Sequence, residues 1–71
     1  MMMPQISRWY PKAPRGETMC EYIACPSGDA FAITCNDRRD KFYLYGVYEN
    51  GALSKRMKSA KSPVELQAQV L

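Results

Sequence analysis

Three cysteines, Cys20, Cys25 and Cys35, are the side chains best suited to covalent or metal chemistry in this 71-residue chain. Their spacing, C-x4-C-x9-C, contains no C-x-x-C knuckle, and the chain has neither a fourth cysteine nor a histidine. A zinc site would need a carboxylate or a second chain to complete its tetrahedral set, so no metal is expected. An odd cysteine count without a secretory context argues against a disulfide framework. Reduced thiols packing as small apolar residues are expected instead. The missing histidine also removes the commonest general base and the Ser-His and Cys-His nucleophile pairs. No paired constellation of Asp, Glu, Lys, Tyr or Cys replaces them. The chain is expected to bind rather than catalyse, and to need no cofactor.

Cations and aromatic rings are the chemistry that remains. Ten Lys and Arg stand against seven Asp and Glu, a net charge of +3 that is unevenly spread. Residues 1–16 hold Arg8, Lys12 and Arg15 and no acid. Residues 17–51 are net acidic, with Glu17, Glu21, Asp29, Asp37, Asp40 and Glu49 against Arg38, Arg39 and Lys41. Residues 52–61 then place Lys55, Arg56, Lys58 and Lys61 together without an acid. Such a polarised surface attracts phosphates or an acidic protein face. The plainer reading is a lysine-rich edge strand that resists edge-to-edge aggregation. Arg38 and Arg39 lie between Asp37 and Asp40, which weakens them as a phosphate clamp.

The elements that must position these groups follow from periodicity. Residues 1–18 contain Pro4, Pro11, Pro14 and Gly16, too many breakers for a regular element. They read as an extended basic arm, with Arg8, Trp9, Tyr10 and Lys12 as candidate partner contacts or packing anchors. Residues 19–71 read as a single small domain. From Met19 the pattern turns to period two, so Cys20–Cys25 and Ala30–Cys35 read as strands; Lys41–Tyr48, rich in aromatic and β-branched residues, reads as a third, and residues 53–60 return as a fourth. Asn50-Gly51 is a strong hairpin signal, predicting a type I′ turn with φ > 0 at both positions. Ser62-Pro63-Val64-Glu65 has the form of a capping box with proline at the first helical position. Val64, Ala68 and Leu71 then share one helix face, with Leu66 and Val70 alongside. Ten residues do not hold a helix alone, so it must pack on the sheet. The expected fold is α+β: a four-stranded antiparallel β-meander, one C-terminal helix packed on one face and an extended N-terminal arm.

Two-residue reversals at Ser27-Gly28, Arg38-Arg39 and Asn50-Gly51 predict a register. Cys20 opposes Cys35, Tyr22 opposes Ile33, Ile33 opposes Leu44, and Leu44 opposes Met57. Cys20, Tyr22, Ala24, Phe31, Ile33, Cys35, Phe42, Leu44, Tyr48, Leu53 and Met57 then share one apolar face. The other face would carry Tyr45 across from Arg56 and Tyr43 across from Lys58. One helix covers one face, so the second is expected to be bare. Rings that stack on bases and cations that meet phosphates make Tyr43, Tyr45, Arg56, Lys58 and Lys61 candidate nucleic-acid contacts. Cross-strand Tyr–Arg and Tyr–Lys pairs also stabilise a solvated sheet by ~0.2–1 kcal/mol with no ligand. Tyr and Arg are equally typical of protein interfaces.

From Lys41 to Ala60 and into Ser62-Pro63-Val64-Glu65, the layout resembles the arm-type DNA-binding domains of phage integrases. That resemblance implies a sheet entering the major groove, with Tyr43, Tyr45, Arg56 and Lys58 at matching contact positions. The acidic middle segment departs from it. Arg8-Trp9-Tyr10-Pro11-Lys12 and Phe42-Tyr43-Leu44-Tyr45 are similar to stretches of small accessory proteins of enterobacterial prophages. This second resemblance implies a cytoplasmic, non-enzymatic role around host DNA maintenance or replication. The partner is expected to be nucleic acid or a nucleic-acid-processing complex. The alternatives are an inhibitor or adaptor of the anti-defence type docking by the same face, and a homodimer joined through its tyrosines. No apolar run approaches a membrane span, and no stretch resembles a signal peptide.

Overall fold

The computed structural model describes residues 11–70. It contains strands β1 (Thr18–Ala24), β2 (Ala30–Cys35), β3 (Phe42–Val47) and β4 (Leu53–Ala60), then helix α1 (Pro63–Val70). The strands form one antiparallel sheet in the order β1-β2-β3-β4. This is the expected meander with its C-terminal helix. Of the arm, Arg8, Trp9 and Tyr10 lie outside the described residues.

Loop length corrects the expected register. Pro26-Ser27-Gly28 reverses the chain in three residues, closed by Cys25 N–H donating to the Asp29 carbonyl at 2.8 Å. Gly28 N–H donates to the Cys25 carbonyl at 3.0 Å, and Gly28 takes φ +99°. Glu49-Asn50-Gly51 does the same between Tyr48 and Ala52, with φ +87° at Gly51. Both are turns ending in a left-handed residue, the usual three-residue hairpin. The type I′ turn is therefore not formed, because Asn50 keeps a negative φ. The β2–β3 loop preserves its whole expected pairing, Cys35 with Phe42, Ile33 with Leu44 and Phe31 with Gly46, while across β3–β4 the expected Tyr45–Arg56 pair survives. There Asn36 N–H donates to the Lys41 carbonyl, and Arg39 supplies the left-handed position at φ +58°.

An odd loop moves β1 by one residue, and one residue exchanges its two faces. Tyr22 pairs with Ala32 and Ile23 with Phe31, so Ile23 turns to the helix side and Tyr22 away from it. A bulge between Met19 and Glu21 leaves Thr18, not Cys20, opposite Cys35. Two further irregularities run along β4, where Val47 pairs with Leu53, Tyr45 with Arg56 and Leu44 with Lys58. Ser54 holds one of them: its hydroxyl accepts from Gly46 N–H at 2.8 Å and donates to the Lys55 carbonyl at 2.9 Å. Bulges twist and blunt an edge strand, and β4 is an edge.

The sheet therefore buries apolar residues on both sides. Ile23, Ile33, Leu44 and Leu66 form the helix-side core, with Cys25, Phe31, Phe42, Ala60 and Val70 packed around it. Ala30, Ala32 and Val47 form a second cluster with Met19, Tyr22 and Leu53. The single expected apolar face thus loses Tyr22 and Leu53 to the other side, while Cys20, Ala24, Tyr48 and Met57 are exposed. In α1 the Ser62 hydroxyl accepts from Val64 N–H, at N2, at 3.2 Å, an N-cap bond in place of the N3 bond of the expected capping box. Leu66 and Val70 make its buried face, whereas Val64 and Ala68 are exposed and Leu71 lies outside the described residues. Leu66 is fully buried and fastens an eight-residue helix that has no stability of its own. Leu66→Ala is expected to destabilise the fold by ~2–5 kcal/mol, measured by urea denaturation with far-ultraviolet circular dichroism. A loss under ~1 kcal/mol would show that α1 is not fastened there.

Candidate nucleic-acid interface

On the side away from α1, neighbouring rows of the ladder bring Thr34 opposite Tyr43 and Tyr45 opposite Arg56. Glu17 arrives beside them from a turn in which its N–H donates to the Pro14 carbonyl at 3.0 Å. Its carboxylate accepts from Thr34, Tyr45 and Arg56. Thr34 Oγ1 donates to Oε1 at 2.6 Å and the Tyr45 hydroxyl donates to the same oxygen at 2.7 Å. Arg56 Nη2 donates to Oε2 at 2.9 Å, and Arg56 Nε donates to the Tyr45 hydroxyl at 3.3 Å. The guanidinium lies 3.9 Å above the Tyr43 ring, close enough for a cation–π contact.

Burial governs the electrostatics of this group. The Glu17 side chain is 11% exposed and Arg56 49% exposed. Burial alone would raise the Glu17 pKa, but hydrogen bonds from Thr34 and Tyr45 and the charge of Arg56 outweigh it, leaving it lowered. Burial pushes the Tyr45 phenol up, Arg56 opposes that and Glu17 reinforces it. Tyr45 is 5% exposed and Thr34 is fully buried, and Glu17 accepts the hydroxyl proton of each. A neutral tyrosine and an ion-paired arginine set over the Tyr43 ring form a polar patch. It offers no nucleophile.

Of the five residues expected to face nucleic acid, three come together here and two do not. Tyr43, Tyr45 and Arg56 share the patch, with Tyr45 sealed by its neighbours and Tyr43 half-buried beneath Arg56. Lys58 opposes Leu44 rather than Tyr43, whose partner is Ser59. The irregularity between Leu44 and Tyr45 turns Lys58 to the helix side, where its ammonium donates to Gln69 Oε1 at 3.3 Å. Lys61 is exposed between β4 and α1, and Lys12 is exposed in the arm. Glu17 was missed as a site residue because it reads as arm. Its place beside Thr34 depends on an odd loop and a bulge that leave no mark in local alternation.

Two other surfaces emerge. Phe42 pairs with Ala60, so the backbones of Lys41 and Lys61 are neighbours at one end of the sheet, next to the Arg38-Arg39 loop. In that loop Asn36 Nδ2 donates to Asp40 Oδ1 at 2.6 Å. Arg38, Arg39, Lys41 and Lys61 make no ion pair among the described residues. At the opposite end an open groove of about 710 Å³ runs over Phe31, Gly46, Tyr48 and Met57, rimmed by Asp29, Glu49 and Lys55. Tyr48 and Met57 are 59% and 57% exposed there. Among the described residues no three of Cys, Asp and Glu gather to hold a metal ion. No helix of the described residues is long and apolar enough to cross a membrane.

Comparison with known proteins finds no matching family model, curated protein or solved structure.

Glu17→Gln isolates the network. A glutamate whose folded pKa is lowered stabilises fully above its unfolded value and loses that contribution as pH falls through the folded value. The wild-type chain is expected to exceed the variant by ~1–3 kcal/mol at pH 7, since charge-assisted hydrogen bonds are replaced by neutral ones. The two should converge as pH falls through the folded Glu17 value, which lies below the ordinary glutamate value. Urea denaturation at pH 3 to 7 measures both, and a pH-independent gap would show that the Glu17 charge is not the stabilising element.

Proposed function

We propose that this chain is a small non-enzymatic accessory protein that engages the phosphate backbone of nucleic acid. The basic end of the sheet is the contact, with the Tyr43–Arg56 stack on its flank. The carrying observation is that the β2–β3 loop, with Arg38, Arg39 and Lys41 alongside Asp37 and Asp40, is brought next to Lys61 by the Phe42–Ala60 pair, and none of these four cations makes an ion pair among the described residues. Like charges placed side by side cost stability in a sheet, and an arriving polyanion reverses that cost. Arg56 serves differently: Glu17 neutralises it, so it shapes the surface rather than charging it. Tyr45 is a support for that surface and does not meet a base. The likeness to small prophage accessory proteins agrees with such a role in DNA maintenance or replication and in the cytoplasm, as part of the same proposal.

The groove over Phe31, Gly46, Tyr48 and Met57 favours a second reading, a protein-directed adaptor or inhibitor. Exposed Tyr and Met beside apolar wall residues are typical of protein docking surfaces. A partner captured from the host that survives nuclease treatment and is lost with Met57→Glu would support this reading over the first.

Fluorescence anisotropy with labelled duplex and single-stranded oligonucleotides tests the first reading. Binding is expected at low salt, with log affinity falling linearly against log salt and a slope of about −3 to −4. The Lys41→Gln, Lys61→Gln double variant is expected to weaken binding to all sequences alike and to flatten the slope by about 2. Failure of both oligonucleotides to bind at low salt would overturn the proposal. An unchanged slope in the double variant would overturn the placement of the site.

A further inference from the structure

We propose that Arg39 seats a backbone phosphodiester at the basic end of the sheet, and that the fold carries a strained loop there to keep its guanidinium free. This rests on the nucleic-acid reading above and deepens it by singling out one contact among the cations.

Each hairpin closes through a left-handed residue whose N–H donates to the carbonyl three positions back. Gly28 and Gly51 fill that place at φ +99° and +87°, donating to Cys25 and Tyr48. In the β2–β3 loop the same bond, to the Asn36 carbonyl at 3.0 Å, comes from Arg39 at φ +58°. Among the described residues Arg39 is the only one other than glycine with a positive φ. A Cβ in this conformation crowds the following carbonyl oxygen, a cost that glycine avoids. Backbone preference calls for glycine, and the chain places an arginine.

The loop is built to hold that conformation. Asn36 Oδ1 accepts from Asp40 N–H at 3.1 Å and from Lys41 N–H at 3.3 Å, while its Nδ2 donates to Asp40 Oδ1 at 2.6 Å. Disfavoured backbone persists where its surroundings over-determine it, and it clusters at binding sites. The same bonds act on the side chain. Asn36 engages the carboxylate next to Arg39, and the exposed Arg39 makes no hydrogen bond or ion pair among the described residues. Arg56 is the contrast, bound to both Glu17 and Tyr45.

Charge directs a polyanion to this loop. Thr18 pairs with Cys35, so the turn over residues 14–17, with exposed Arg15, lies at the same end of the sheet. Lys61 follows β4 there. The two reversals at the opposite end hold Asp29 and Glu49 and no cation. A field of this polarity steers phosphate toward the basic end. A guanidinium with no internal partner then meets two phosphate oxygens at once through its planar fork.

Arg39→Gly, Arg39→Gln and Arg38→Gln are compared with the wild-type full-length chain by thermal unfolding and by fluorescence anisotropy with labelled single-stranded and duplex oligonucleotides over a salt series. Arg39→Gly is expected to melt about 4–8 °C higher, because the crowded Cβ is gone. It should also bind about tenfold more weakly or worse, with a salt slope flatter by about 1. Arg39→Gln should bind as weakly without the gain in midpoint, since it keeps the Cβ. Arg38→Gln, whose backbone is not left-handed, should weaken binding less than Arg39→Gln does. Arg39 variants that bind like the wild-type chain, or an Arg38→Gln that loses as much, would overturn the role of Arg39 and leave the nucleic-acid reading standing. An Arg39→Gly midpoint at or below the wild-type value would overturn the strain. A wild-type chain that binds neither oligonucleotide at low salt would overturn both.

Discussion

A carboxylate largely withdrawn from water is tolerated when hydrogen bonds fill its lone pairs, and in this chain the donors come from three different strands. Glu17, just ahead of β1, accepts from Thr34 on β2, Tyr45 on β3 and Arg56 on β4. The residue before the first strand is thereby tied to every other strand of the sheet. An exposed ion pair alone contributes ~0–1 kcal/mol, but here the acceptor is mostly sheltered and two of its donors are buried. Removing the carboxylate would leave Thr34 and Tyr45 with polar groups out of reach of water, which is the costly case.

That constraint decides what the surface has left to offer. Tyr45 spends its hydroxyl on Glu17, and Arg56 spends its charge there while lying flat on Tyr43. A sheet face that looks from composition like a stacking platform is largely committed to internal contacts. Uncommitted chemistry is displaced to the two ends: cations around the β2–β3 loop and the start of α1, and apolar groups over Gly46. The proposed phosphate contacts and the groove follow from this division of a small sheet into opposite ends.

Element order was legible in the sequence because short runs rich in aromatic and apolar residues are separated by reversals that carry Gly, Pro, Asn or Asp. The β2–β3 register was legible because its four-residue loop is even, and Tyr45 opposite Arg56 emerged because β4's two shifts happen to straddle it. The β1 faces were not legible. Pro26-Ser27-Gly28 reads equally as part of a two- or three-residue reversal, and that single residue decides whether Tyr22 or Ile23 meets α1. Lys58 was misplaced for the same reason, since a bulge in β4 costs no visible break in the pattern. Alanines at positions 30 and 32 hid a second buried cluster, because small residues look neutral where large ones would announce a core. Glu17 was beyond reach. Its role depends on three strands being in register at once.

The most direct test of the Glu17 anchor is an NMR titration of its side-chain carboxyl carbon in the intact chain from pH 7 to 2. The expected midpoint lies below the ordinary glutamate value of about 4.3, with the Tyr45 ring signals shifting in the same step. A midpoint at or above that value, with Tyr45 indifferent to it, would mean that the carboxylate is free in solution and the strands are held together by something else.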